Sequence, residues 1–306
     1  MVFSKYLDRV HAPPIKCQGI KTKLVNFIRE SIKWNENGRW IEPFLGSGVL
    51  LFNIAPTEAI AADINPHIVK FYQSIQAGKI TSNAVLEYLE VEGSLLKQKG
   101  EQYYYEVRDR FNRTGAPLDL LFLNRACFNG VMRFNQRGKF NVPFGHKPDR
   151  FRKAHVTKIV NQVKWVIRVM EGKKWVFRCS DWREILRECK EGDFVYVDPP
   201  YYGRHTDYYN KWSRNDLVEL AHACKALSCG FALSMWNKNV FRKDELLWRL
   251  LGDLPIHTFQ HFYHVGPTES LRHPMEEALV IKPGFEVKEI APYIERPKQP
   301  VLGEYF

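Results

Sequence analysis

The sequence predicts an α/β protein whose mostly parallel sheet is interrupted by a largely helical insertion. Over residues 21–67 and 173–285, short runs rich in β-branched and aromatic residues alternate with segments of helical periodicity. Such alternation is typical of a parallel sheet with helices on both faces. A glycine-rich turn and three acids follow predicted strands directly, at the edge where open α/β sheets bind their ligands. We therefore expect a ligand site at that edge.

The first part of the sheet is predicted from hydrophobic periodicity and from the glycines that interrupt it. Its elements are a helix over 21–33, a strand over 40–44, a glycine turn over 46–48, a helix over 49–54 and a strand over 59–62. The glycines in the turn let the backbone approach a ligand, and the helix that follows offers free N–H donors.

The second part of the sheet follows the insertion. Its elements are strands over 174–179, 193–197, 231–235 and 277–281 and helices over 182–189 and 215–227. A polar and aromatic loop precedes the last strand. We expect a ligand-binding domain over residues 1–67 and 173–285 and an extended, proline-containing tail over 286–306.

The insertion is expected to be a second domain over residues 68–172, with helices over 84–97, 102–112 and 155–170. The chain has 45 Lys and Arg against 34 Asp and Glu, a net charge of +11. Between residues 125 and 153 there are eight Lys or Arg and one acid. The aromatic residues interleaved with them are Phe128, Phe134, Phe140, Phe144 and Phe151. Basic and aromatic residues together favour nucleic acid as the partner.

Other classes of protein and site are disfavoured by what the sequence lacks. No apolar run has membrane-spanning length, and residues 1–14 do not resemble a signal peptide. The six cysteines are scattered without a Cys-x-x-Cys pair, as in a cytosolic protein with reduced thiols. Although His257, His261 and His264 lie close together, their run is aromatic and strand-like and has no supporting ligand spacing. We therefore predict no metal site.

The strand over 193–197 ends in Asp198-Pro199-Pro200-Tyr201, the segment most indicative of function. Neither proline donates a backbone hydrogen bond, and Pro199 keeps Asp198 out of the helical region. The turn therefore offers a carboxylate, outward-facing carbonyls and an aromatic ring. These groups suit a planar ligand with an amino group, which needs two acceptors for its N–H bonds and a ring to stack on its face.

Two further acids follow strands. Asp63 stands where Rossmann-like folds bind ribose hydroxyls, and Asp181 can accept a hydrogen bond from an adenine amino group. Each can equally be a helix N-cap. Together with the glycine turn, the three acids indicate an adenosine-containing ligand.

Four segments, in this order, resemble the Dam-type adenine-specific DNA methyltransferases. Residues 16–21, Lys-Cys-Gln-Gly-Ile-Lys, are similar to the family's opening Lys-Trp-Ala-Gly-Gly-Lys. Residues 42–48 resemble its Glu-Pro-Phe-x-Gly-x-Gly, and residues 125–145 its DNA-reading hairpin. Residues 198–201 match its catalytic Asp-Pro-Pro-Tyr. With the last strand, the resemblance extends from residue 16 to about 281.

The resemblance implies a Rossmann-like, seven-stranded methyltransferase sheet with an inserted target-recognition domain, S-adenosylmethionine as cofactor and double-stranded DNA as partner. It further implies a cytoplasmic prokaryotic or phage protein without an obligate protein partner. The catalytic residues would be Asp198, Pro199, Pro200 and Tyr201. The cofactor-binding residues would be Lys21, Pro43, Phe44, Gly46, Gly48, Asp63, Asp181 and Asp198. The DNA-binding residues would be Lys16, Phe128, Asn129, Val131, Arg133, Arg137, Lys139 and Pro143.

Within this resemblance, Phe128 matches the position that wedges into the duplex, and Arg133 matches the position that reads guanine. The chain departs from the family at Cys17, Gln18 and Ile20. Two other functions remain open. A methyltransferase acting on RNA or on N4 of cytosine would use the same turn, although Asp rather than Ser before Pro-Pro-Tyr favours adenine. A DNA-binding protein without activity is disfavoured because both ligand-binding turns look intact.

Overall fold

The computed structural model describes residues 7–200, 212–238, 245–262 and 274–288. Its strands are β1 (Trp40–Glu42), β2 (Glu58–Asp63), β3 (Lys174–Cys179), β4 (Phe194–Val197), β5 (Gly230–Lys238), β6 (Ile256–Phe262) and β7 (Pro274–Ile281). They form one seven-stranded sheet in the order β3-β2-β1-β4-β5-β7-β6. The first five strands in this order pair in parallel, and β7 pairs antiparallel with both β5 and β6. The predicted α/β class and the seven-stranded sheet are confirmed.

Ten helices accompany the sheet in the described ranges: α1 (Val25–Ser31), α2 (Val49–Ile54), α3 (Pro66–Gln76), α4 (Ser82–Lys99), α5 (Glu101–Thr114), α6 (Pro117–Ala126), α7 (Lys153–Met170), α8 (Trp182–Arg187), α9 (Arg214–Ala226) and α10 (Glu245–Leu251). The sequence did not predict α3, α6 or α10. Both α3 and α6 begin at a proline, which reads as a breaker but fits the first turn of a helix. Every residue of α6 from Asp119 onward is buried, so no amphipathic period reveals it.

The strand β6 corrects another part of the sequence reading. It occupies residues 256–262, to which no strand was assigned, although the run that contains His257 and His261 was described as strand-like. Seven consecutive residues of β6 are in register with β7, from Ile256 opposite Val280 to Phe262 opposite Pro274. Phe259 is buried in the core. Polar residues of an edge strand alternate with the buried ones, which makes such a strand resemble a loop in sequence.

Two hydrophobic clusters cover the two faces of the sheet. Successive residues of β4 alternate between them, with Phe194 and Tyr196 in one cluster and Val195 and Val197 in the other. The first cluster continues without interruption into the helices from α1 to α7, and the second contains residues of α8, α9 and α10. The helical insertion therefore packs on one face of the sheet only.

Helix α3 joins the sheet to the helical segment. It begins at Pro66, so the boundary expected at residue 68 falls inside a helix. Its Gln73 and Gln76 side chains donate hydrogen bonds of 2.8 Å to the carbonyls of Phe177 and Trp175 on β3. The division of the chain into two domains stays a prediction. No helix in the described part of the chain has the length and apolar character needed to cross a membrane.

Candidate active site

A cleft of about 250 Å³ opens at the carboxyl ends of β1, β2 and β4. It contains most of the residues that the sequence analysis assigned to catalysis and cofactor binding: Lys21, Pro43, Phe44, Gly46, Asp63, Asp181, Asp198, Pro199 and Pro200. Gly48 is not among the residues that line it. Tyr201 lies outside the described residues. Parallel strands that end at one edge bring together residues that are up to about 180 positions apart in the chain.

The glycine turn and the acid after β2 are bonded to each other. The backbone N–H of Gly46 donates to Asp63 Oδ2 at 2.8 Å, and that of Asn65 donates to Asp63 Oδ1 at 2.9 Å. Burial raises the pKa of Asp63, and these two hydrogen bonds oppose the shift. An ionised carboxylate has about four acceptor sites, so Asp63 retains acceptor capacity for hydroxyl groups of a ligand.

Gly48 has a structural role at the start of α2. Its φ of 70° is the left-handed region, and a Cβ there would meet the ring of Phe52 at 2.7 Å. Any larger residue would therefore strain the backbone and push Phe52 out of the core.

Asp198 belongs to a buried ion-pair group that sequence reasoning did not foresee. Its Oδ1 lies 2.9 Å from the Lys21 ammonium, and Glu277 Oε2 on β7 lies 3.7 Å from the same nitrogen. Lys21 and Glu277 are only 3% and 1% exposed, whereas the Asp198 side chain keeps 22% of its surface accessible. Lys21, which was expected to contact the cofactor, thus also contacts the predicted catalytic acid. The sequence feature that could have indicated Glu277 is its position as an acid in an otherwise apolar strand.

A third carboxyl group, Glu42, lies close to this ion-pair group. Burial raises the pKa of Glu42 to about 8, a shift that a hydrogen bond from Trp40 Nε1 at 2.8 Å opposes. Burial also raises the pKa of Asp198 to about 6, with Lys21 acting against the shift and the charge of Glu277 adding to it. Two carboxylates, Asp198 and Glu277, beside one ammonium leave this end of the cleft with a net negative charge, which favours a cationic ligand.

Three aromatic rings border the other side of the cleft. Phe44 lies 5.6 Å from Trp212, edge-on, and 6.4 Å from Trp182, measured between ring centroids. In the described ranges, the indole Nε1–H of Trp212 is buried and meets no acceptor. A buried donor without a partner is costly, so this N–H is suited to a ring nitrogen of a ligand. Sequence reasoning missed both tryptophans, because neither belongs to a motif.

Asp181 lines the cleft beside these rings and also caps α8. Its Oδ1 accepts from the Arg183 backbone N–H at 2.8 Å, and both carboxylate oxygens lie 3.3 Å from the Arg183 guanidinium. The same guanidinium pairs with Asp216 at 2.8 Å and with Glu219 at 2.6 Å. The N-cap reading of Asp181 is thus observed, and its carboxylate still faces the cleft.

The basic aromatic stretch folds into a hairpin over residues 127–144, here called the recognition loop. Cys127 pairs with Phe144, Phe134 pairs with Phe140, and the Phe128 N–H donates to the Pro143 carbonyl at 2.9 Å. Phe128 is 50% exposed. Of the five phenylalanines that interleave the basic residues, Phe128 alone is exposed, because Phe134, Phe140, Phe144 and Phe151 are buried.

The other residues of the recognition loop that were assigned to DNA differ in how they are held. Arg133 Nε donates to Asn141 Oδ1 at 2.9 Å, and its Nη2 donates to the Asn141 carbonyl at 3.3 Å. Asn129 has a φ of 52°, which turns the chain sharply beside Phe128. Four further positions complete the predicted set: Arg137, Lys139 and Pro143 are exposed, and Val131 is half-buried.

Lys16 lies against the recognition loop although it precedes it by more than a hundred residues. The Lys16 N–H donates to Asn124 Oδ1 at 2.8 Å, and Asn124 Nδ2 donates to the Lys16 carbonyl at 2.9 Å. A Cβ at Gly130 would lie 2.9 Å from Lys16 Cδ, so the lysine stem runs directly under that glycine. Burial lowers the pKa of Lys16 to about 8, and Arg125 lowers it further.

Two further expectations concern cysteine and metal chemistry. All six cysteines are free thiols, as expected. Among the described residues, no group of three or more His, Cys, Asp or Glu side chains is arranged to hold a metal ion. His264 lies outside the described residues, as does the side chain of His261.

Comparison with known proteins agrees with this geometry. Residues 18–265 match the family model for D12 class N6 adenine-specific DNA methyltransferases. The type II methyltransferase M.MjaIII of Methanocaldococcus jannaschii is 32% identical over 217 residues, which are 62% of this chain and 68% of that protein. A DNA adenine methylase of Serratia marcescens is 30% identical over 224 residues, 70% of this chain and 78% of that protein. The type II methyltransferase M1.LlaDCHI of Lactococcus lactis subsp. cremoris is 26% identical over 289 residues, 89% and 95% of the two chains.

Proposed function

Because this chain belongs to the D12 class N6 adenine-specific DNA methyltransferases, we propose that it transfers a methyl group from S-adenosylmethionine to N6 of an adenine flipped out of duplex DNA. The observation that carries this proposal is the position of Asp198-Pro199-Pro200. The turn ends β4 in the same cleft that holds the glycine turn, Asp63 and the aromatic rings. A methyl donor and its acceptor therefore share one cavity.

The cleft fits S-adenosylmethionine on the residues present. The rings of Phe44, Trp182 and Trp212 suit the adenine, and the unpartnered Trp212 N–H suits one of its ring nitrogens. Asp63 retains acceptor sites for the ribose hydroxyls, and the carboxylate of Asp198 suits the positive charge of the sulfonium. When bound, S-adenosylmethionine supplies a methyl carbon that is open to nucleophilic attack.

Asp198 acts on the amine that is methylated. The N6 lone pair of adenine is delocalised into the ring, so the nitrogen must become pyramidal before it attacks. One oxygen of Asp198 is occupied by Lys21, and the other, together with the Pro199 carbonyl, accepts the two N6 hydrogens. These acceptors favour the pyramidal nitrogen and the charge that develops on it. As the N–C bond forms and the S–C bond breaks, the amine becomes acidic, and Asp198 takes its proton and releases it to water.

The recognition loop delivers the base. Phe128 enters the stack that the target leaves, which offsets part of the cost of flipping, a few kcal/mol. Arg133 and Lys16 contact base edges, while Arg137 and Lys139 meet phosphates. The support for this assignment is the exposed ring of Phe128 at the base of the hairpin, together with the basic residues Arg137 and Lys139, which face solvent at its turn.

Identification of the methylated base tests the proposal. Purified protein is incubated with tritiated S-adenosylmethionine in three parallel reactions, which contain plasmid DNA, single-stranded DNA or ribosomal RNA. We expect label in duplex DNA, nucleoside analysis that gives N6-methyladenine, and sequencing that places it in one short motif. Label in RNA or as N4-methylcytosine would replace the substrate in the proposal. Tight DNA binding with no label in any substrate would leave a DNA-binding protein.

A further inference from the structure

Helix α7 carries the least balanced charge in the described part of the chain. Residues 150–170 contain six Lys or Arg and no Asp or Glu. On α7 itself, Lys153, Lys158, Lys164 and Arg168 are exposed. At about 100° per residue, the four fall on one face about 140° wide, which also contains the buried Trp165, while the other buried residues of the helix lie outside it. The helix therefore presents cations to solvent on both sides of Trp165.

The segment before α1 adds further cations along this helix. His11 stacks on Trp165, with ring centroids 5.0 Å apart. Burial lowers the pKa of His11, and the charges of Arg9 and Arg168 lower it further. Nearer the start of the helix, burial lowers the pKa of Lys16, and the charges of Arg125, Arg150 and Lys158 lower it further. The two chain segments thus run side by side. We call the joint surface of Arg9, Lys158, Lys164 and Arg168, which begins beside Lys16, the α7 strip.

The cations of α7 are not neutralised by neighbours, in contrast to cations elsewhere in the molecule. Within the described ranges, none of the four exposed α7 cations forms an ion pair. By comparison, Arg110 pairs with Glu92 and Asp119 at 2.7 and 2.6 Å, and Lys174 pairs with Glu58 at 2.7 Å. Like charges held together repel one another and lower stability, so an uncompensated strip indicates a polyanionic partner.

The α7 strip begins at the recognition loop. The Lys16 side chain runs under Gly130, and α7 starts nine residues after the loop ends. From Lys158 to Arg168 the helix rises about 15 Å, at 1.5 Å per residue. Measured along the axis of the duplex, that length corresponds to four to five base pairs, because each strand carries one phosphate per about 3.4 Å of axis.

From this arrangement we propose that the α7 strip binds the phosphates of the duplex flanking the recognised site, on one side, over about five base pairs. The inference rests on the proposed function, since it presupposes duplex DNA at the recognition loop. The strip extends the footprint without reading bases, because ammonium and guanidinium groups on phosphates carry no sequence information. It makes substrate affinity depend on the length of DNA beyond the site.

The test compares two duplexes that contain the methylated motif, one with three flanking base pairs on each side and one with fifteen. The variant replaces Lys158, Lys164 and Arg168 together by Gln, which keeps helix propensity and removes three charges. For wild type we expect a lower KM on the long duplex. For the variant we expect the KM on the long duplex to rise on the order of tenfold at 0.15 M salt, with the short-duplex kcat and KM unchanged. The salt slope should fall by about two to three.

A matched control removes the same charge from outside the helical segment, with Lys33, Lys174 and Lys190 replaced by Gln. It should keep the length dependence of wild type. Equal KM values for the two duplexes in wild type, or an equal loss in the α7 variant and the control, would overturn the inference while leaving the methyltransferase in place. If wild type methylated neither duplex, the proposed function would fail and this inference with it.

Discussion

The cleft and the recognition loop differ in how their polar side chains are held. In the cleft, Lys21, Asp63 and Asp198 each have a partner inside the protein, at 2.8 to 2.9 Å. In the recognition loop, Arg137 and Lys139 face solvent, and Arg133 donates to Asn141 on the neighbouring arm of the hairpin. Under the proposed function, the difference means that methyl transfer uses groups fixed before substrate arrives, whereas recognition uses groups that DNA itself must order.

The largest effect on the rate is expected at Asp198, which is proposed to contact the reacting nitrogen. Asp198→Ala removes the acceptor for N6 and leaves Lys21 beside Glu277. We expect the rate of methyl transfer to fall by on the order of a hundredfold or more, because a transition-state partner is lost. Tritiated methyl transfer under single-turnover conditions measures it.

Asp198→Asn is the control for shape, since it keeps one acceptor oxygen and loses the charge that pairs with Lys21. Its rate of methyl transfer should lie between those of wild type and Asp198→Ala. Both variants should bind S-adenosylmethionine with an affinity within severalfold of that of wild type. Rates equal to wild type in Asp198→Ala would remove Asp198 from the reaction.

The next effect concerns the cofactor side of the cleft. Asp63→Ala removes the acceptor that joins the glycine turn to β2, together with the proposed ribose contact. We expect the affinity for S-adenosylmethionine to weaken by about 1.5–3 kcal/mol, the scale of a hydrogen bond to a charged group. Calorimetric titration measures the change, and Asp181→Ala provides a comparison at the adenine end. An unchanged affinity in Asp63→Ala would contradict the ribose role.

In the recognition loop, Arg133→Ala is expected to relax the preference at one position of the methylated motif. A bidentate arginine–guanine contact contributes about 1–3 kcal/mol of discrimination. Asn141→Ala is the sharper comparison, because it keeps the guanidinium and removes its side-chain tether. It should cost less discrimination than Arg133→Ala. Methylation profiles over a randomised site decide: a profile of unchanged shape in Arg133→Ala would place the reader of that base elsewhere.

A smaller effect is expected at Phe128, whose ring is half exposed. Phe128→Ala should slow the fluorescence rise of 2-aminopurine at the target position severalfold, without loss of stability, because it removes a wedge and no core contact. Phe140→Ala provides the contrast within the same hairpin. Its ring is 1% exposed, so its removal should lower the free energy of unfolding by about 3–5 kcal/mol. Normal flipping in Phe128→Ala would end the wedge assignment.

The comparison also explains what the sequence could reveal. The Asp-Pro-Pro-Tyr turn, the glycine turn and Asp63 were found because each follows a strand directly, and parallel strands bring their carboxyl ends to one edge. Glu277 and the Trp212 ring were not found. Glu277 reaches Lys21 only because β7 pairs with β5, and no local pattern encodes that long-range pairing.

The same limit applies to the helical segment. Helices α4, α5 and α7 were predicted from their amphipathic periods, whereas α6 is buried all round and has none. In the recognition loop, the mixture of basic and aromatic residues favoured a nucleic-acid partner. Composition did not distinguish the exposed Phe128 from the four phenylalanines that are buried in the hairpin and its surroundings. Burial is set by tertiary packing, which composition does not contain.

The smallest expected effect tests whether the buried charges around Asp198 are part of the mechanism. Burial raises the pKa of Asp198 to about 6; Lys21 opposes the shift and Glu277 adds to it, and Glu42 faces the same carboxyl group from β1. Asp198 accepts as a carboxylate, so the rate should fall as pH drops through about 6. Glu277→Gln removes a negative neighbour, lowers the pKa of Asp198 and moves this acid limb to lower pH. Lys21→Gln removes the opposing cation and should move it to higher pH. Single-turnover rates between pH 5 and 8 measure both shifts. If the acid limbs of the pH–rate profiles of both variants coincide with that of wild type, these charges fix the shape of the site and do not set the pKa of Asp198.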